Sequence, residues 1–310
     1  MKDYTAVRDG GAGLIDLSAD RGRIRVSGSE ATMFLNGLVT NDMKSLAEHR
    51  WMAAAFPTVQ GRLIGAVRIA RLQDGFLIDT ERASHEAVLK TTSRFTMAGD
   101  FRVTDFTDES VMLSLQGMRA GEIVGKVVQG IGADLKRDEV TEIEGVTVMR
   151  ATHTSEDGFD LVVDSARAGE LRQALTDAGA TPVSEETFEI LRIEAGIARF
   201  GRDMDETNVI PETNLDDAVS FTKGCYVGQE IIVRIKHRGH PAKKLVGLKA
   251  DRPLEPGAIV TSAAVSPKVG HIGLGYVRYE LIEPGTEVIV DNETKATVTE
   301  LPFIRGSWYG

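Results

Sequence analysis

A chain of 310 residues with 42% hydrophobic and 26% charged side chains has material for two or three domain cores, and no apolar run approaches the roughly 20 residues that cross a bilayer. Its formal charge of −10 opposes general binding to nucleic acid, which needs a basic face. A single cysteine excludes an internal disulfide and offers only one of the thiolates an iron–sulfur cluster requires.

The N-terminal stretch MKDYTAVRDGGAG has neither the apolar core nor the small-residue cleavage site of a secretory signal, so a cytoplasmic protein is expected. LIDLS and GRIRVSG read as short strands, and Ser29 is placed to cap a helix carrying Phe34, Leu35 and Leu38 at helical spacing. Strand patterns follow at WMAAAF, LIGAVRIA and DGFLIDT, then a helical stretch from about Arg82 to Thr96. FRVTDF and VMLSLQG read as strands and GMRAGEIVGKVV as a helix. The unit DGFLIDTERASHEAVLK recurs as DGFDLVVDSARAGELRQAL, with Asp74, Gly75 and Phe76 matching Asp157, Gly158 and Phe159. Each copy gives a turn, an alternating strand, an acidic strand end and an amphipathic helix. The order strand–helix–strand–strand–helix–strand is that of a split βαβ unit, with an antiparallel sheet and helices on one face, so two related α+β lobes are predicted.

Residues 184–201, SEETFEILRIEAGIARFG, carry Phe188, Leu191 and Ala195 on one helical stripe, and Glu194 borders it. A carboxylate at an apolar surface needs a partner. That partner is either a structural arginine, such as Arg192 or Arg199, or a ligand with two adjacent N–H donors, such as a pterin.

The stretch TKGCYVGQEIIVRIKHRGH, residues 222–240, holds the one cysteine, Cys225. Its run from Val227 to Lys236 fits helix or strand, because Ile231, Ile232 and Val233 are β-branched. If it is a helix, Cys225 sits at or just before the N-terminus, where unpaired N–H groups and Lys223 favour the thiolate. The alternative is a small buried hydrophobe. Lys236, His237, Arg238, His240, Lys243 and Lys244 form the densest basic cluster, a solvated face or an anion site. His237 and His240 have no carboxylate or thiolate set beside them, so no metal is expected. From residue 244 the runs KLVGLKA, GAIVTS, HIGLGYVRY, TEVIVDN and KATVTELPF, with Pro-Gly turns at 256–257 and 284–285, predict a small β-barrel. There is no P-loop, nucleophile elbow, HExxH or CxxC.

KGCYVGQE at 223–230 resembles the K-G-C-Y-x-G-Q-E signature of the YgfZ-type folate-binding proteins, relatives of the glycine-cleavage aminomethyltransferase, or T-protein. LIDLS, VSGSEATMFLNGLVTND, GRLIGAVRI, RIEAGI and the β-rich tail extend the resemblance over nearly the whole chain. The resemblance implies an α+β, three-domain cloverleaf around a channel that binds tetrahydrofolate. A discontinuous α+β folate-binding domain would take 1–50 and 145–243, a ferredoxin-like α+β domain 51–144, and the C-terminal β-barrel 244–310. It also implies Glu194 as the pterin carboxylate and Cys225 as a functional thiol supported by Lys223. Tyr226 and Gln229 would contact the ligand, and Arg234, Lys236 and Arg238 would face its glutamate tail. The family is associated with maintenance of iron–sulfur enzymes, so folate and client iron–sulfur proteins or assembly factors are the implied partners, without nucleic acid or membrane.

One departure matters. In T-proteins the segment resembling GRLIGAVRI carries an Asp pair that includes the catalytic acid, whereas here those positions are Gly65 and Ala66. Neither moves a proton, and general acid–base help is commonly worth about 10²–10⁴-fold. Two readings follow from the resemblance. One is a tetrahydrofolate-binding accessory protein for assembly or repair of iron–sulfur proteins that uses Cys225. The other is a folate-dependent one-carbon transferase with another acid, Asp79 or Asp42. A third keeps the fold as a scaffold without the ligand.

Overall fold

The computed structural model describes residues 1–94, 99–131, 135–291 and 293–310. In chain order the elements are α1 (Lys2–Arg8), β1 (Gly13–Asp16), β2 (Arg21–Ser27), α2 (Ala31–Leu38), β3 (Arg50–Pro57), β4 (Leu63–Leu72), β5 (Gly75–Glu81), α3 (Arg82–Ser93), β6 (Arg102–Asp105), β7 (Ser110–Gln116), α4 (Ala120–Val127), β8 (Val140–Ile143), β9 (Val146–Arg150) and β10 (Gly158–Asp164). Then come α5 (Ala168–Asp177), β11 (Thr181–Pro182), α6 (Glu185–Glu194), α7 (Gln229–Arg238), β12 (Lys243–Ala250), β13 (Val260–Ser266), β14 (Gly270–Arg278), β15 (Glu287–Ile289) and β16 (Lys295–Thr299).

Hydrogen bonding gathers the strands into three sheets, ordered β3-β4-β5-β2-β6, β11-β1-β7-β10-β9-β8 and β13-β14-β12-β16-β15. Strand alternation gives the first two sheets one face each for helices and one face each for the other sheet. In the first sheet Ile24, Ile69 and Ile78 pack under α2 and α3 with Leu35 and Val88. Their sequence neighbours Ala70 and Leu77 point the other way and meet Met112, Met149 and Val162 of the second sheet. Leu113, Leu115, Phe159 and Leu161 pack in turn under α4 and α5 with Ile123 and Leu175. The result is four layers, helices outside and two sheets inside. Each such side chain taken fully from water contributes about 1.5–3 kcal/mol. The third sheet has its own core of Val246, Leu248, Val260 and Val298, and it docks on α6 through Ile193, Leu245, Ile272 and Leu274.

The sequence repeat appears as β5–α3 in one sheet and β10–α5 in the other. The structure extends it to β2–α2 and β7–α4. Both of these turns need glycine, because Gly28 (φ 113°) and Gly117 (φ 133°) lie in the left-handed region, where a Cβ would meet a carbonyl oxygen at 2.4 and 2.5 Å.

Four local features bear on the sequence reading. Within 51–144, β3 to β6 share a sheet with β2, while β7 and β8 belong to the sheet of β1, β9, β10 and β11. Ser29 does not cap α2; the N-cap is Glu30, and Ser29 Oγ donates to Asp100 Oδ2 at 2.6 Å. The helix that begins at Arg82 ends at Ser93, and the rest of the expected span, to Thr96, reaches outside the described residues. The ambiguous run after Val227 is helical, because of its β-branched residues only Ile232 is fully buried, and a helix spares Ile231 and Val233 that burial.

Candidate functional site

Toward one end of the two-sheet interface the inward positions change character. On β4 the face that carries Ala70 and Leu72 also carries Ala66 and Arg68, and on β5 Leu77 is followed on the same face by Asp79 and Glu81. The sheets part there around a cavity of about 810 Å³, counting its open mouth. Leu17, Ala66, Phe188, Met204 and Leu215 form its apolar wall, while Arg21, Arg68, Arg192, Arg199, Glu81 and His153 form its polar wall.

Those polar groups are tied into one network. Arg21 grips Asp79 through Nε at 2.7 Å and Nη2 at 2.6 Å, and reaches Glu81 through Nη1 at 2.7 Å. Arg68 bridges two carboxylates, with Nε on Asp79 at 2.7 Å and Nη1 beside Asp160 at 2.7 Å. His153 Nε2 lies 2.9 Å from Asp160 Oδ2. Arg199 reaches Asp20 at 2.7 Å and Glu81 Oε2 only at 3.3 and 3.4 Å. Burial works against the charge of Asp79, yet Arg21 and Arg68 outweigh it and hold the carboxyl below its ordinary range. At Asp160, burial is likewise outweighed by His153 and Arg68, and the carboxyl is held well below that range. Asp79 therefore stays ionised with both oxygens engaged and is no reservoir of protons. Asp42, the other candidate acid, is not part of the cavity wall; its Oδ1 accepts from the backbone N–H of Lys44 at 3.0 Å.

Glu194 has a partner, and it is neither arginine expected nor a ligand. Fully buried, it accepts from Tyr4 Oη at 2.7 Å and Ser266 Oγ at 2.5 Å on Oε1, and from Arg8 Nε at 2.9 Å on Oε2, with Arg8 Nη2 at 2.7 Å. Arg8 also reaches Glu156 at 3.0 Å and Thr154 O at 2.7 Å. The cluster ties α1, α6, the loop before β10 and the barrel together, and Glu194 does not line the cavity. Both oxygens of Glu194, the implied pterin carboxylate, are thus occupied by protein. Arg192 instead meets Glu189 and Asp203, and Arg199 meets Asp20 and Glu81.

The KGCYVGQE loop lies elsewhere. Lys223 is buried, and its Nζ donates to the carbonyls of Asn36, Val39 and Asn41 at 2.7, 2.9 and 2.8 Å, closing the C-terminal end of α2. Burial pulls its ammonium down to about 8, while three carbonyl acceptors favour the charged form. All three protons are engaged by these carbonyls. Cys225 is exposed and four residues ahead of α7, which excludes the buried-hydrophobe alternative and places it beyond the helix N-terminus. Gly228 turns the chain into α7 at φ 77°, where a Cβ would stand 2.3 Å from Thr58 O. Tyr226 packs with Leu63, Phe200, Met204 and Ile232; its hydroxyl has no hydrogen-bond partner among the described residues, and burial pushes it up to about 12. Gln229 opens α7, Arg234 and Lys236 are exposed on it, and the side chain of Arg238 lies outside the described residues. None of Lys223, Cys225, Tyr226, Gln229, Arg234 and Lys236 lines the central cavity. Lys236 borders a separate crevice with Phe221 and Ile232, and Leu215 is common to both.

Sequence reasoning missed Arg21, Arg68, Glu81 and His153 as site residues. The available signal was charge at inward strand positions: Arg68 and Asp79 stand where the alternation calls for apolar side chains. Among the described residues no group of three His, Cys, Asp or Glu side chains is placed to hold a metal, and no helix is long and apolar enough to cross a membrane.

Two helix-covered sheets enclosing a cavity, followed by a small barrel, define the glycine cleavage T-protein class, and the chain belongs to that family. Residues 1–223 match the GCVT N-terminal domain, and residues 243–304 match the glycine cleavage T-protein C-terminal barrel domain. The chain is 33% identical to an aminomethyltransferase from Rubrobacter xylanophilus, with 98% of this chain and 86% of the relative covered. It is 30% identical to one from Cutibacterium acnes, with 99% and 91% covered. The crystal structure of glycine cleavage system aminomethyltransferase T from Bartonella henselae shares the fold, with a TM-score of 0.89 at 24% identity over 98% of this chain and 89% of that one.

Proposed function

We propose that the protein binds tetrahydrofolate in the cavity between its two helix-covered sheets and acts as a folate-dependent one-carbon transferase with a non-standard proton-moving group. Family membership supports the cofactor, and the cavity supports the place. The observation that carries the reading is the pairing of an apolar wall, Phe188, Met204 and Leu215, with one carboxylate, Glu81. Glu81 Oε2 keeps only long contacts to Arg199, at 3.3 and 3.4 Å, so it retains capacity to accept N–H donors. Glu81, rather than Glu194, would meet the donor edge of a pterin, with Phe188 and Met204 excluding water from its rings. When bound, tetrahydrofolate supplies the nitrogen that carries the one-carbon unit. The ordinary T-protein acid is missing: Ala66 lines the cavity, and Gly65 lies against α3, where a Cβ would stand 2.7 Å from Val88 Cγ2.

Isothermal titration with tetrahydrofolate tests this reading. Micromolar binding that weakens at least about tenfold in Glu81→Gln is expected, each protein being checked for its melting transition. No heat at about 100 µM protein, which places Kd roughly above 1 mM, overturns it in favour of a scaffold.

A second reading, the YgfZ-type accessory factor for iron–sulfur proteins, draws support from one observation: the chain's sole thiol is exposed and outside the cavity. A thiol so placed meets a macromolecular partner rather than a cavity ligand. Cys225→Ala should then lower the activity of iron–sulfur enzymes in a deletion strain while tetrahydrofolate binding is unchanged, and full rescue by that variant would remove the thiol from the function.

A further inference from the structure

The cavity wall contains four guanidinium groups, one carboxylate and one imidazole. A guanidinium does not give up its proton in a protein. Glu81 is clamped by Arg21 at 2.7 Å and flanked by Arg199. His153 remains, and imidazole is the side chain suited to proton exchange near neutrality.

Its setting is specific. Nε2 lies 3.1 and 2.9 Å from the two oxygens of Asp160, and no hydrogen bond to Nδ1 is found among the described residues. The ring stands edge-on to Phe188 with centroids 6.2 Å apart, and the backbone N–H of His153 donates to Gln116 Oε1 at 2.9 Å, so ring and main chain are both held. Asp160 is fully buried and shared with Arg68 Nη1 at 2.7 Å. An ionised Asp160 takes the hydrogen of Nε2, which leaves the lone pair on Nδ1.

We infer that His153 takes up and returns a proton at the cavity through Nδ1, replacing the acid absent from Gly65 and Ala66, with Asp160 and Arg68 as positioning residues. The inference deepens the folate-dependent reading and rests on it for its purpose. The proton that Nδ1 accepts is the one it gives back, so the imidazole ends each cycle neutral and no oxidant or reductant is required. The groups around it are Asp160 from β10, Phe188 from α6, Arg68 from β4 behind the carboxylate, and Arg21, Arg192, Arg199 and Glu81 across the shared wall. Of these, the direct polar contact is the Asp160 carboxylate.

Two measurements on the full chain decide the matter. In nitrogen-15 NMR of the imidazoles, with His153 assigned by its loss in His153→Gln, the ring should carry hydrogen on Nε2 alone at about pH 8 and gain one on Nδ1 as the pH falls. Asp160→Asn should let hydrogen populate Nδ1. Hydrogen on Nδ1 at that pH in the unaltered protein overturns the inference. The second measurement is calorimetry of tetrahydrofolate binding in buffers of different ionisation heat. Proton uptake or release should accompany binding and vanish in His153→Gln, whose amide keeps the bond to Asp160 but does not titrate. A linkage absent from the unaltered protein, or unchanged in the variant, overturns it. If the unaltered protein shows no folate heat, the proposed function fails, and the imidazole spectra still decide the role of His153.

Discussion

Glu194 gives the sharpest prediction, because kinship and geometry disagree about it. The family resemblance makes it a ligand for a pterin, whereas the structure gives it to Arg8, Tyr4 and Ser266 in a fully buried cluster. Arg8→Met removes the two closest cationic donors, at 2.9 and 2.7 Å, and leaves the carboxylate buried with two hydroxyls. Breaking one side of a buried pair costs about 3–5 kcal/mol. Glu194→Gln keeps an acceptor for Tyr4 and Ser266 but turns an amide toward Arg8, which retains Glu156 and Thr154 O, so about 2–4 kcal/mol is expected. The two losses overlap, and the double variant should fall short of their sum by about 1–3 kcal/mol. Urea denaturation followed by tryptophan fluorescence measures all three. Trp308 lies beside the cluster, its backbone N–H donating to Ser155 O at 3.0 Å next to Glu156. At a temperature where the variants remain folded, tetrahydrofolate affinity should match that of the unaltered protein. If Glu194→Gln changes stability by less than about 1 kcal/mol and abolishes binding, the structural assignment is wrong and the carboxylate is a ligand.

Lys223→Met should cost about 1–3 kcal/mol, because three carbonyls at the end of α2 lose their donor, while the reaction rate of Cys225 with a disulfide reagent stays within about twofold; a tenfold fall would show that the ammonium activates the thiol. Gly65→Asp should destabilise without restoring an acid to the cavity, since its Cβ runs into Val88 and Ser84 of α3, at a cost of at least about 1–3 kcal/mol by urea denaturation. Asp79 and Asp160 both have folded pKa values below their unfolded ones. Below the unfolded value the unfolded chain binds the extra protons, so stability should fall as pH drops below about 4. Replacing Asp160 by Asn should flatten that acid limb of the stability curve, and an unaltered limb would remove Asp160 from the linkage.

The strands were legible because alternation is a local signal: DGFLIDT and DGFDLVVD announce both their turns and their two faces. The sheet each strand joins is set by distant partners. Gly13 pairs with Gln116, and Ile24 pairs with Ile78, although β1 and β2 are adjacent in sequence. Within 51–144, β3 to β6 share the sheet of β2 while β7 and β8 join that of β1, and the change of texture near residue 244 falls where β12 begins, at Lys243. Around α7, Ile231 to Val233 suit either conformation locally, and packing of Ile232 against Leu63 and Tyr226 decides it. The site was least legible. Glu194 was recognised as a carboxylate bordering an apolar stripe and needing a partner, but its arginine lies 186 residues away. The His153–Asp160 contact joins a loop to a strand across a turn, and nothing in the spacing distinguishes it from two solvent-facing polar residues.

The crossing of the chain between its two sheets has a consequence for birth order on the ribosome. The sheet of β2 to β6 uses only residues 21–105, so it closes as soon as that stretch has emerged. β1, made before any of it, waits for β7 and β11, and Arg8 waits longer still for Glu194. Residues 1–17 are therefore fastened only after the sheet of β2 to β6 can close, although they precede it in the chain.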